Sequence, residues 1–190
     1  MKTVSVRIEG TTALLMHRFT EASEVQKSTR RLAIKEEDPR EVAERCAYRL
    51  PDGGLYLPGA AIARLVREAG SNHKQRGSRK SLKFVVPAAV YMGAETITLL
   101  NGDGKSIARE FEVDSRPVTI PATKGRIMRH RPRLNKWAAE FDLEIDDDIL
   151  PLEVVHQLLI EGGNKLGVGD FRPERGGPFG RFAVTQWNAN

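Results

Sequence analysis

The chain has one cysteine, Cys46, in 190 residues. An internal disulfide is therefore excluded, and the composition fits a reducing compartment. There is no run of about 18 apolar residues and no secretory signal pattern, so the sequence predicts a cytoplasmic protein with no membrane partner. Aromatics are sparse, at 6% of residues, which leaves few rings to stack on bases. Two long stretches lack acids altogether: 69–94 carries five Lys or Arg, and 115–139 carries seven. The rest of the chain sets 18 basic residues against all 25 acids, a net of −7 within an overall formal charge of +5. The positive field is thus gathered into two segments on an acidic body, a distribution that permits a nucleic-acid partner.

What is present reads as a single α+β domain. Residues 2–9 alternate, with Val4, Val6 and Ile8 on one side, as a half-buried strand does. The short apolar run Ala13–Met16 then leads to His17 and Arg18, where a lone histidine reads as structural. Residues 20–48 read as a polar helical insertion in which Asp38 caps a helix, Pro39 takes its first position, and Val42 and Cys46 are buried as an i,i+4 pair. From Ala60 the spacing of Ile62, Leu65, Val66 and Ala69 predicts a helix that Gly70 ends. Residues 71–83 form a basic loop without apolar period, expected to order on binding. Strands are predicted around Phe84–Val86, Val90–Tyr91, Glu95–Leu100 and Phe111–Val113, with Asn101–Gly104 as the hairpin turn between the last two.

The second basic window holds Pro117, Pro121 and Pro132 within a β-like composition. Prolines argue against a central strand, so an irregular hairpin projecting from the sheet is expected, with Ile120, Ile127 and Met128 packing on a neighbour. Trp137, Ala139, Phe141, Leu143 and Ile145 alternate as a strong strand. Pro151 opens a helix whose apolar face is Leu152, Val155, Leu158 and Leu159 and which Gly162-Gly163 should stop; Arg181–Trp187 is a final strand. His73 has no second ligand at metal spacing, and Asp146-Asp-Asp148 has no companion acidic cluster, so no metal or other cofactor is predicted. The acidic turn is read as complementing the following helix N-terminus.

Between that helix and the last strand lies a stretch, 161–181, with seven glycines, Gly162, Gly163, Gly167, Gly169, Gly176, Gly177 and Gly180. Two readings fit it. Successive bare N–H groups, with Lys165, Arg172, Arg175 and Arg181 nearby, could cradle a phosphate, or the stretch is a long turn with solvated arginines. The element order reduces to a βαββαβ frame, the ferredoxin-like arrangement, with an inserted hairpin and basic loops.

Leu57-Pro-Gly-Ala-Ala-Ile-Ala-Arg-Leu-Val-Arg67 resembles the first-helix motif of the repeat-associated mysterious protein (RAMP) superfamily, in which Pro-Gly precedes a helix with small and then basic residues. Gly162-Gly-Asn-Lys-Leu-Gly-Val-Gly169, leading to Gly180-Arg-Phe182, looks like that superfamily's glycine-rich loop. The resemblance touches both ends of the chain and, within the superfamily, is nearest to the backbone subunits of CRISPR effector complexes, proteins of antiviral defence. It implies a ferredoxin-like palm, a thumb hairpin at 114–136, single-stranded RNA as ligand, and copies of the chain or other effector subunits as partners. The implied contacts are His17, Arg18 and Arg64; Lys74, Arg76, Arg79, Lys80 and Lys83 in the first window; Lys124, Arg126, Arg129, Arg131 and Arg133 in the second; and Lys165, Arg172 and Arg175 around the glycine loop. The role implied is non-catalytic. Two alternatives remain: a metal-independent endoribonuclease using His17, His73 or His130, and a stand-alone binding or assembly protein of a mobile element.

Overall fold

A computed structural model of the chain describes residues 1–19, 37–119 and 124–189. The first part of the expected helical insertion, 20–36, and the tip of the second basic window, 120–123 with Ile120 and Pro121, lie outside these residues.

The alternating first segment is strand β1, Lys2–Gly10, whose Val4, Val6 and Ile8 are buried. It runs between β8, Ala138–Ile145, and β9, Phe182–Ala189, antiparallel to both. β4, Val90–Met92, and β5, Thr96–Leu100, share the far edge of β8, and β3, Tyr56–Pro58, continues the sheet beyond β5. The principal strand order is β3-β5-β8-β1-β9. Helix α2, Gly59–Ala69, packs against helix α4, Leu152–Lys165, and α4 packs on β9. Buried Ile62, Leu65, Val66, Val155, Leu158 and Leu159 on these helices join the inner residues of β1 and β8 in one core. Each such side chain contributes about 1.5–3 kcal/mol by leaving water. This is a mixed α+β fold of the ferredoxin-like kind.

The second basic window forms a regular hairpin. β6, Glu112–Thr119, pairs with β7, Arg126–Leu134, through eight consecutive positions, and the two-residue strand β2, Leu14–Leu15, extends it to three strands with β7 in the centre. Two prolines sit inside this pairing, against the expectation of an irregular excursion. The carbonyl of Pro132 accepts the Met16 N–H at 3.0 Å, so that edge of Pro132 faces away from β6. Its partner Val113 is four positions from Pro117, so alternation turns the Pro117 nitrogen outward as well. Neither proline removes a rung of the β6–β7 ladder. Helix α1, Pro39–Arg45, packs on β7 and β6 and starts as its sequence predicts, with the Asp38 carboxylate accepting the Arg40 N–H at 2.7 Å. On it Ala43 and Cys46 are buried, whereas Val42 is only half-buried.

Three other expectations are corrected. Val86–Ala89 is a short helix, α3, with Pro87 in its first turn, where the missing N–H costs nothing. Asn101–Gly104 turns into an isolated bridge, Leu100 to Ile107, and not into a paired strand, because β5 is already held by β3 and β8. Gly162 and Gly163 do not stop α4. They lie buried within it, where the absence of side chains lets Leu65 of α2 and Phe182 of β9 come close.

A mid-helix glycine normally costs about 1 kcal/mol against alanine. At Gly163 the sign reverses, since a Cβ would lie 2.7 Å from both the Phe182 carbonyl oxygen and its ring. Gly163→Ala is expected to destabilise by roughly 1–2 kcal/mol, overpacking outweighing helix propensity. A urea midpoint that falls with unchanged slope supports this; a midpoint that rises shows the glycine to be an ordinary helical one.

Candidate nucleic-acid interface

The hairpin has two unlike faces. Register places Asp114, Arg116, Arg129, Arg131 and Arg133 on one of them. At its base this face is closed by an anion: Asp114, buried, accepts two bonds from Arg116 Nε at 2.7 and 3.0 Å and stands 3.8 Å from Arg133. Arg131 is 7% exposed and lies 3.2 Å from Asp170 of the glycine loop, close enough for an ion pair but off the line of a hydrogen bond. Phe179 sits beneath the Arg116 and Arg133 guanidinium groups, 4.7 and 5.8 Å from its ring centre. Arg131 and Arg133 therefore dock the loop onto the hairpin. Their charge is spent inside the protein. Toward the tip the side chains of Lys124, Arg126 and Arg129 make no hydrogen bond or ion pair among the described residues.

Except at Gly169, Phe171 and Arg172, the N–H groups of the loop from Gly167 to Gly180 already have backbone acceptors. Those of Gly167, Val168, Asp170, Glu174, Gly176, Gly177 and Gly180 are all given to backbone carbonyls, including Leu15 O for Asp170 and Ala13 O for Gly180. Gly180 has φ 73, and a Cβ there would strike the Val168 carbonyl. Arg172 bonds Glu174 at 2.5 and 2.9 Å and the Gly169 carbonyl, Arg64 bonds Glu174 at 3.3 Å, and Arg181 bonds the Asn164 carbonyl. Lys165 pairs with Glu161. Among the described residues only the Arg175 side chain of this loop lacks a hydrogen bond or ion pair, and most of the loop's N–H groups serve a long, internally bonded turn.

Between this loop and the first turns of α2 opens a cleft of about 390 Å³, walled by Pro58, Ala61, Arg64 and Glu68 on one side and by Gly167 to Asp170 on the other, with His17 and Tyr48 at its border. Its arginines are neutralised by its own acids, so the cleft is polar without being cationic. His17 Nδ1 is buried with no partner. Burial pushes the imidazole pKa down; Asp170 opposes this, while Arg129 and Arg131 push the same way.

The first basic window is a turn with its own backbone bonds. Lys74 and Ser81 form a bridge, Gln75 and Ser78 close a turn with Gly77 at φ 73, and the Leu82 N–H reaches the His73 carbonyl. His73 bonds Glu161 at 3.2 Å, and Lys83 bonds Glu68 on the cleft wall at 2.8 Å. Lys74, Arg76, Arg79 and Lys80 stand exposed and unpaired, as does the Arg18 side chain. The turn thus joins the cleft wall through Lys83. The four histidines are dispersed: His130 bonds Ser115 at 2.7 Å, and His156 stacks on Trp187. No cluster of three metal-ligating side chains exists among the described residues; Asp147 pairs with Lys2, and Asp146 accepts the Asp148 N–H. No helix of the described residues is long and apolar enough to cross a membrane.

No protein-family model and no curated protein matches the sequence. Solved structures do match. Cmr6 from Pyrococcus furiosus superposes with a TM-score of 0.51 at 13% identity, over 96% of this chain and 97% of that one. A chain of the type III-B Cmr-beta complex bound to cognate target RNA superposes with a TM-score of 0.58, again at 13% identity, over 99% of this chain and 60% of the other. What is shared is the fold. The resemblance to the RAMP superfamily expected from Leu57–Arg67 and the glycine loop is met at the level of the fold. Sequence reasoning missed the two acids that organise the site, Asp114 and Asp170. Asp114 had a faint signal as the last acid before the second basic window.

The pH dependence of stability follows from His17. Its folded pKa lies below the ordinary 6.5, so between those values the unfolded chain binds more protons and stability falls as pH drops. Glu161, held at about 2 chiefly by Gln157 and Lys165, acts only below its ordinary 4.5, so the two windows separate. His17→Gln should shrink the loss of melting temperature between pH 7.5 and 5.5. Equal losses in variant and wild type would remove His17 as the cause.

Proposed function

We propose that this chain is a non-catalytic, RNA-binding subunit of a CRISPR effector complex. It holds single-stranded RNA by phosphate contacts and assembles along that strand with copies of itself or with other effector subunits. The observation that carries the reading is the partition of the cations. Arginines in the body of the protein are matched with acids, as Arg7, Arg40, Arg49 and Arg67 are. The side chains of Lys74, Arg76, Arg79, Lys80, Lys124, Arg126 and Arg129 have no ion-pair partner among the described residues and stand on two projections. Unpaired cations carry no stabilising role in the fold, and a polyanion recovers their charge by releasing counterions. The fold shared with Cmr6 and with a chain of an RNA-bound Cmr-beta complex supports RNA over other anions.

Affinity for a 30-nucleotide RNA should fall steeply with salt. Replacing Lys74, Arg76, Arg79 and Lys80 together by alanine should lower the slope of log Kd against log salt by about 3, at roughly 0.7 per phosphate contact. Arg131→Ala should lower the melting temperature and leave the slope alone. A wild-type affinity indifferent to salt removes the reading.

The endoribonuclease alternative has one observation in its favour, the half-buried His17 lining the cleft, its pKa lowered by burial and its Nδ1 without a partner. Prolonged incubation of RNA with wild type and His17→Ala decides it. RNA left intact by both supports the non-catalytic role, whereas cleavage lost in the variant makes the protein a nuclease.

A further inference from the structure

Phe171 stands in the glycine loop with φ 47, in the left-handed region that a bulky side chain rarely adopts. The loop holds it there from both sides. Asp170 is tied to Leu15 O by its N–H and to Arg131 by its carboxylate, and the Arg172 carbonyl accepts the Gly177 N–H at 3.0 Å. The Phe171 carbonyl accepts from Phe179 N–H at 3.3 Å, and Gly177 crosses it so closely that no Cβ would fit. A strained backbone kept by this many contacts fixes the direction of one side chain.

That side chain is an aromatic ring facing water. Phe179, its neighbour at 6.1 Å between ring centres, is 5% exposed, whereas Phe171 is 36% exposed. Cations surround the pair. Arg116 lies over Phe179 and bonds Asp114 only through Nε, leaving its terminal nitrogens open, and Arg175 is unpaired four residues along. Two other exposed rings, Tyr91 and Phe84, lack this setting. Tyr91 lies opposite Glu144 on β8, and Phe84 follows Lys83, whose amine is held by Glu68.

We propose that Phe171 is the stacking platform for one nucleobase of the bound strand, with Arg116 and Arg175 reaching the phosphates on either side. Every base has a π face, so the platform tolerates sequence and fixes register along the strand. This rests on the RNA-binding reading and assigns it a residue.

The test uses the full chain and a short single-stranded RNA carrying one 2-aminopurine, whose fluorescence is quenched on stacking. Moving the probe along the strand should find one position quenched by wild type. Phe171→Leu, which keeps an apolar side chain without the π face, should lose that quenching and bind about ten-fold more weakly with the salt slope unchanged. Phe171→Tyr should retain both, and equal melting temperatures show that the loop is intact. If wild type binds and Phe171→Leu matches it in affinity and quenching, the stacking role is overturned while the RNA reading stands. A variant that loses salt slope instead also overturns it, by tracing the effect to displaced arginines. If wild type shows no salt-dependent binding at all, the RNA reading fails and takes this assignment with it.

Discussion

The segment from Thr11 to Met16 is bonded along both of its edges, and the placement of everything else at the site depends on it. On one side Leu14 and Leu15 pair with Leu134 and Arg133 of the hairpin, and the Met16 N–H reaches Pro132. On the other, Ala13 O and Leu15 O accept the N–H groups of Gly180 and Asp170, and Thr11 and Thr12 donate to Arg181 O. Trp137 Nε1 closes the end with a bond to Thr12 O. Hairpin, glycine loop and palm sheet thus meet on six residues. Backbone bonds at this density leave little freedom to shift one part without the others.

That seam explains why arginines adjacent in sequence have opposite roles. Alternation along β7 puts Arg129, Arg131 and Arg133 on one face, so what separates them is distance from the seam. Near the seam the loop supplies Asp170 and Phe179 as partners. Toward the tip it no longer reaches, and Arg129 is left with like charges around it. A buried cation without its partner is costly, so Arg131 and Asp170 must be kept together, whereas an exposed tip cation adds little to stability and is available to a phosphate.

How much of this could be read beforehand depended on whether a feature was local. The alternation of Val4, Val6 and Ile8 and the spacing of Ile62, Leu65 and Val66 are local patterns, and both elements formed where expected. The two acid-free windows were also legible as projections. The fate of Gly162-Gly163 was not, because a glycine pair reads as a helix stop unless one knows that Leu65 and Phe182 press on it from other elements. Likewise, nothing near Arg131 in sequence announces Asp170, thirty-nine positions on. The loop's N–H groups looked open for the same reason, since their acceptors Ala13 and Leu15 belong to the other end of the chain.

The open face of the sheet completes the electrostatic argument. Ferredoxin-like sheets can bind single strands directly on that face through aromatic residues. Here the outward positions of β8 are Glu140, Asp142 and Glu144, with Glu9 beside them on β1, and the one nearby cation, Arg7, is shared between Glu9 and Glu140. Such a surface repels phosphate. With the sheet face acidic and the cleft neutralised by its own carboxylates, the two basic projections are the surfaces on which a polyanion gains most. Acids on the sheet face and cations on the hairpin and the 74–80 turn thus divide the charge of the molecule, so the net charge of +5 understates how strongly its surfaces differ.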